Sequence, residues 1–419
     1  MYVKEKMSDS QNLGIIKLSP KSGDLELIEN WRPISLLNVD YKIISKTIAN
    51  RLKNVLEKII SPEQYCGVPN RSIINCNNSI RDIVNYVREN NLKAGLLNLD
   101  WSKAFDRVNM TFLFKVMSKF GFSPSFISLI KVLYKDCKSM ISINGLFSEK
   151  FDINRSVRQG CPLSMLLYII YQEPLYLAIK ANSNIVPPLL PNNVKIVIQG
   201  FADDSTVLFA TEESLKSVCL EIKMFEAATG SLLNKNKSCI LGLGAWSEKN
   251  EWPLKCFKSV ECAKILGIYV QSSFFKTCEM NWTSVVEKVR KSVNMLSQRY
   301  LTLYQRTVIV NSLILSKVWY LSHTPPLSKS DIQKINATII KYIWGGMYRP
   351  IKRNTLYLPK LNGGLGLISV EEKSNSIFIA SCLKNILNNI GLSRYYCTIR
   401  LSYVIQLTVL NETAYYTPS

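Results

Sequence analysis

The sequence predicts an α+β chain whose strands and helices mix up to about residue 270 and give way to helices alone beyond it, and three observations carry that prediction. Short runs of β-formers (Leu96 to Leu99, Val194 to Ile198, Val207 to Phe209) all fall before about residue 270. Asn144-Gly145, inside Met140 to Ile153, is the turn signal of a tight hairpin. From Trp282 onward the pattern is helical, with Trp282, Val285, Val286, Val289, Val293 and Leu296 on one stripe. A mixed first part followed by helices alone fits an α+β chain.

Taken in order, residues 1–30 mix short apolar pieces with charge. Pro33 disfavours helix at Arg32, and a helical period begins beyond Asp40, with Ile43, Ile44, Thr47, Ile48, Leu52 and Val55 on one face. Gly67 to Ile73 reads as a loop, followed by a helix through Ile80, Ile83, Val84 and Val87. Ala94 to Leu99 reads as a buried strand delivering Asp100 at its mouth, and one helix is expected from Trp101 to about Phe120. Arg158 to Ser164 is a loop leading into a helix that ends near Ala181. A Pro-rich break then precedes a hairpin with Asp203-Asp204 at its tip, and a helix from Glu213 to Ala228 stops at Gly230. Further helices are expected over Leu303–Leu321, Asp331–Trp344 and about 370–390, and the Tyr-rich last 40 or so residues show no pattern.

Composition narrows the chemistry. The chain has 419 residues, 47% of them hydrophobic, so it is folded and long enough for two or three domains. Its net charge of +21 suits a polyanionic partner, with nucleic acid first. The 11 cysteines are scattered without a Cys-x-x-Cys, and residues 1–12 are polar. Those features predict reduced thiols in an intracellular protein, nuclear and/or cytoplasmic and not secreted, with no zinc site. The most apolar windows are broken by polar residues, so no membrane span is expected. A single histidine, His323, expected in a surface or capping role, leaves little room for Ser-His-Asp or Cys-His catalysis, and no Walker-type phosphate loop occurs.

What remains is carboxylate chemistry. Asp100 and Asp203 converge if their strands lie side by side. Clustered carboxylates repel, and hard divalent ions such as magnesium are the natural compensation. Two such ions, about 3.5–4 Å apart, activate an attacking hydroxyl and stabilise a leaving pyrophosphate. Against this stands the plain alternative that Asp-Asp is only a favoured turn sequence.

The motif series decides between them. Asn30 to Asn38, Gly67-Val68-Pro69-Asn70-Arg71-Ser72-Ile73, Leu99 to Asp106, Arg158-Gln159-Gly160-Cys161-Pro162-Leu163-Ser164, Phe201-Ala202-Asp203-Asp204, Gly230 to Asn234 with Lys237-Ser238, and Leu266-Gly267 occur in that order. Over about residues 13–370 the chain resembles the reverse transcriptases of non-LTR (LINE-type) retrotransposons, with Asn70 where glycine is usual and Met165 where proline is usual.

The resemblance implies a right-hand polymerase: fingers and a palm with a small antiparallel sheet over 1–270, a helical thumb over 271–350, and a partial connector over 351–419. It implies an RNA-directed DNA polymerase that extends a DNA 3′ end with deoxynucleoside triphosphates. Two Mg²⁺ ions, with Mn²⁺ as a substitute, would be held by Asp100, Asp203 and Asp204, with the Trp101 carbonyl as a further contact. Phe105, Arg71, Arg158, Gln159, Gly160 and Lys237 (or Lys235) would serve the nucleotide, and Leu266 and Gly267 the primer. RNA template and DNA primer or target are the implied partners. The alternative expectation is a truncated, inactive nucleic-acid-binding remnant, because the chain begins inside the fingers. A mobile-intron reverse transcriptase, which shares the palm, is a weaker option.

Overall fold

The computed structural model describes residues 6–21, 23–324, 327–345 and 351–387. The short helix α1 (Asp9–Asn12) leads into a mixed sheet made of β1 (Leu13–Pro20), β2 (Trp31–Leu37), β4 (Lys138–Ile143), β5 (Leu146–Phe147) and β6 (Phe151–Asp152). Its order is β2-β1-β4-β5 with β6 also on β4, and β1 runs parallel to β4. The Asn144-Gly145 turn joins β4 to β5 as its sequence predicts. Strands β1 and β2 carry no period in the sequence and were not expected. α2 (Val39–Ile59) follows, capped by the Asn38 side chain on the Asp40 N–H.

The second sheet holds β3 (Lys93–Leu99), β7 (Ile198–Phe201), β8 (Asp204–Phe209), β9 (Cys239–Gly244) and β10 (Lys258–Ser259). Its order is β10-β9-β3-β8-β7, antiparallel except for the parallel β9–β10 pair. Alternation sorts β3 between two cores. Ala94 and Leu96 pack toward α3 (Ile73–Glu89), and Leu97 and Leu99 toward a larger core. That core includes α4 (Met110–Lys119), α5 (Pro124–Tyr134), α6 (Ser164–Ala181) and α7 (Glu212–Thr229). α6 is apolar on nearly every face and is the central buried helix.

A two-stranded hairpin, β11 (Cys262–Ile265) and β12 (Ile268–Gln271), leads to a helical region with its own core. That region comprises α8 (Phe274–Leu296), α9 (Leu303–Ile309), α10 (Ser316–Trp319), α11 (Lys329–Trp344), α12 (Arg353–Tyr357) and α13 (Val370–Leu387). Among the described residues no helix is long and apolar enough to cross a membrane.

Three expectations need correction. Trp101 to Arg107 is a series of turns, with Lys103 at φ +50°, and α4 begins only where the Asn109 side chain accepts from the Phe112 N–H. The helix expected over Leu303–Leu321 is broken by a π turn at Val310–Ile314, which lets the Asn311 amide bond Gly366 O (2.8 Å) and the Ile368 N–H (3.0 Å). His323, expected at the surface or as a cap, is half-buried in the last turn of Leu321–His323 with its Nδ1 unpartnered, and burial lowers its pKa. α5, capped by Ser123, was not expected, and residues 388–419 lie outside the described residues.

Candidate active site

The site is built by strand register. β3 pairs β8 with Leu99 opposite Ser205, and β8 pairs β7 with Phe201 opposite Asp204. Asp100, one residue past Leu99, therefore lies beside Asp204, with Asp203 in the turn between β7 and β8. A two-residue hairpin loop demands positive φ, and Ala202 takes it at +57°. A left-handed alanine costs roughly 1–2 kcal/mol. Gln64 meets that cost. Its Oε1 accepts from the Ala202 N–H (3.1 Å) and the Cys66 N–H (3.1 Å), and its Nε2 faces Ala202 O at 3.5 Å. In the amide orientation that satisfies both its ends, Gln172 donates to Ala202 O (2.8 Å) and accepts from Ser205 Oγ (3.1 Å) and Trp101 Nε1 (3.3 Å). Two buried glutamines thus hold the turn that aims Asp203.

Asp100 is fixed from the other side. Its N–H donates to Ser238 Oγ (3.0 Å), and its carbonyl accepts from the Asn234 N–H (2.8 Å). Burial, then the proximity of Asp203 and Asp100, pushes the Asp204 carboxyl up to about 6. Asp204 is exposed yet lies in a cleft: water reaches it, while surrounding protein displaces the outer hydration of a free carboxylate. Asp203 is raised by burial and by Asp100, and is pulled back by Lys21 and Arg32 from the β1–β2 side. Among the described residues no group of three His, Cys, Asp or Glu side chains is arranged to hold a metal ion. Asp100 raises both Asp203 and Asp204, and an oxygen-only set of carboxylates suits hard divalent ions.

The other expected site residues fall at varying distances from this centre. Phe105 is half-buried and stacked on Tyr168, with ring centroids 4.8 Å apart. Gly160 has φ +111°, and a Cβ there would stand 2.5 Å from Ser35 O, so only glycine fits; the neighbouring Gln159 carbonyl accepts from the Ser35 N–H (2.8 Å). Arg158 is buried, its Nη2 bonding Asn12 O at 2.5 Å and its guanidinium lying over the Tyr41 ring, so it ties the end of α1 and β4 to this loop, while its Nε and Nη1 are buried without a partner. The Arg71 guanidinium is engaged by the carbonyls of Ser61 (2.6 Å), Gln64 (2.9 Å) and Ile60 (3.3 Å). It braces the segment carrying Gln64. Lys237 is exposed on the turn whose ends, Asn234 and Ser238, bond Asp100, whereas Lys235 lies beside Cys219. Leu266 and Gly267 form the loop between β11 and β12.

Four residues escaped sequence reasoning: Lys21, Arg32, Gln64 and Gln172. Arg32 stood inside a quoted motif, but its charge gained meaning only when the β1–β2 pairing (Ser19 opposite Arg32) turned that end toward Asp203.

Comparison with known proteins places the sequence in a family. The family described as "Reverse transcriptase (RNA-dependent DNA polymerase)" matches residues 19–272. The "Transposon TX1 uncharacterized 149 kDa protein" of Xenopus laevis is 30% identical over 402 residues, covering 94% of this chain and 30% of that protein. The "Retrovirus-related Pol polyprotein from type-1 retrotransposable element R2" of Popillia japonica is 26% identical over 230 residues, covering 54% and 32%. This chain spans about a third of the length of these relatives. A solved telomerase from Candida albicans is 11% identical at a TM-score of 0.48, covering 91% of this chain and 62% of that one. With the motifs in order and the family match running from β1 to β12, the chain belongs to the reverse transcriptase family, among those of non-LTR retrotransposons.

Proposed function

We propose that this chain is an RNA-directed DNA polymerase adding deoxynucleotides to a DNA 3′ end on an RNA template. The observation that carries the reading is the register that sets Asp100 beside the Asp203-Asp204 turn. Reverse transcriptases depend on divalent metal. In this reading Asp100, Asp203 and Asp204 hold two Mg²⁺ ions, with Mn²⁺ as a substitute. When bound, these ions supply Lewis acidity for the attacking 3′-hydroxyl and charge neutralisation for the leaving pyrophosphate.

The chain's own residues do the rest. Lys21 and Arg32, already close enough to act on Asp203, meet the negative triphosphate. The Gln159-Gly160 backbone, free of a Cβ at 160, lets the nucleotide approach. Phe105, steadied by Tyr168, forms the floor under the sugar and disfavours a 2′-hydroxyl. Lys237 delivers a proton to the pyrophosphate, and Leu266-Gly267 holds the primer. Arg71 and Arg158 support the site from behind. Residues 1–270 then act as fingers and palm, 271–350 as thumb and 351–419 as part of a connector.

Primer extension on an RNA template tests the reading. Wild type should incorporate deoxynucleotides with Mg²⁺, and Asp203→Asn should abolish incorporation while melting like wild type. Equal extension by both would overturn the proposal.

A further inference from the structure

The β11–β12 loop packs its Leu266 side chain against the core behind the sheet and takes a hydrogen bond from a hydroxyl of the helical region. Leu266 and Gly267 both lie in the left-handed region (φ +47° and +83°), the pattern of a type I′ hairpin loop, which a leucine adopts reluctantly. The Tyr320 hydroxyl donates to Leu266 O at 2.6 Å. That same oxygen accepts from Asn77 Nδ2 at 2.8 Å, so the amide fixes the hydroxyl rotor with its proton aimed at the loop. The ring edge lies against the loop as well, 3.7 Å from where a Cβ on Gly267 would stand.

Three parts of the molecule meet at this oxygen. Tyr320 follows α10, and its neighbours Val318 and Leu321 are buried in the core of the helical region. Asn77 is on α3, whose Ile80, Ile83, Val84 and Val87 pack behind the palm sheet. The third part is the loop itself. The joint continues as hydrogen bonds: Arg81 Nη1 to Thr324 O (3.0 Å) and Asn78 Nδ2 to Ser381 Oγ (2.9 Å). Polar groups that part here can exchange their protein partners for water.

We propose that Tyr320 is a positioning residue for the primer end, and that its hydroxyl couples the placement of the helical region to the Leu266-Gly267 loop. This rests on the reading above that the loop holds the primer. When the helical region seats against α3, the hydroxyl caps Leu266 O and the loop keeps its shape. When the region lifts, the cap is withdrawn and the primer loses its rest.

The test compares Tyr320→Phe, Asn77→Leu, the double variant and Gly267→Asn. Asparagine tolerates a left-handed backbone and adds bulk on the exposed side of the loop. Tyr320→Phe should raise the KM for primer–template about tenfold, the worth of one hydrogen bond of this length, and shorten products, with the KM for deoxynucleotide and the melting temperature unchanged. Asn77→Leu should act in the same direction, and the double variant should fall short of the summed effects. If Gly267→Asn impairs primer use while Tyr320→Phe does not, the coupling is refuted and the primer-holding loop stands. If neither affects primer use, the loop reading fails and the inference fails with it. If Tyr320→Phe lowers the melting temperature and every kinetic constant together, the tyrosine is merely structural and the proposal is overturned.

Discussion

Ala202 shows how one backbone angle sets the cost of the site. Its left-handed φ is what turns Asp203 out of the strand alternation, and Gln64 satisfies the amide that the turn would otherwise bury. Gln64→Leu leaves the Ala202 and Cys66 N–H groups without partners, at roughly 1–3 kcal/mol each. The expected result is a lower melting temperature and a steeper requirement for metal, read by titrating Mg²⁺ in primer extension. Glu173 gives a pH-dependent case. It is buried on α6, accepts from the N–H and hydroxyl of Ser61, and has Oε2 unpartnered. Burial raises its pKa from 4.5 to about 7. The folded chain then binds more protons than the unfolded chain between those values, so stability falls as pH rises through that window and is lowest above it. The penalty is roughly 2–3 kcal/mol. Glu173→Gln should flatten the fall, with the variant melting above wild type at pH 8 and the two converging near pH 4; parallel profiles would count against it. The three aspartates were legible because each sits at a strand end marked by its own neighbours. Gln64 and Gln172 were not, because a buried amide gripping a distant turn leaves no period in the sequence.

Among the elements, the loop ahead of α6 is set by contact with β2. Gly160→Ala would place a methyl 2.5 Å from Ser35 O at a φ of +111°. A cost of roughly 1–3 kcal/mol in strain is expected, with a raised KM for deoxynucleotide as the loop withdraws. Calorimetry and single-nucleotide kinetics check both. Elements with a strong apolar period were readable: α7 was expected from Glu213 to Ala228 and spans Glu212–Thr229, stopped by Gly230 at φ +72°. Where polar side chains decide, the reading slipped. Asn109 delays α4 past the turns that shape the Asp100 loop, and Asn311 pulls a π turn into what reads as one helix. β1 and β2 escaped because they are a half-exposed pair with no clean alternation.

At the scale of the whole molecule, charge governs partner binding. A net +21 held against phosphates predicts that RNA affinity falls linearly on a log–log plot of salt, with a slope near −0.7 for each single-strand phosphate neutralised. Fluorescence titration between low and physiological salt checks this, and an affinity indifferent to salt would refute it. The change from a mixed first part to helices alone was legible from the apolar pattern along the chain. The way the helical region seats on α3 was not, since asparagines that bridge two bodies resemble those of any solvated helix.

The backbone of residues 63–65 runs alongside β7. Gly200 donates to Glu63 O (3.0 Å) and accepts from the Tyr65 N–H (2.9 Å), while the Tyr176 hydroxyl and Asp204 O leave no room for a side chain at 200. The sheet that carries the aspartates therefore ends in a sealed margin on one side and in the two-residue β10 on the other. A second molecule finds no open row of amides on which to stack. A chain with a net charge of +21 that crowds on a polyanion is thereby guarded against clumping through this sheet.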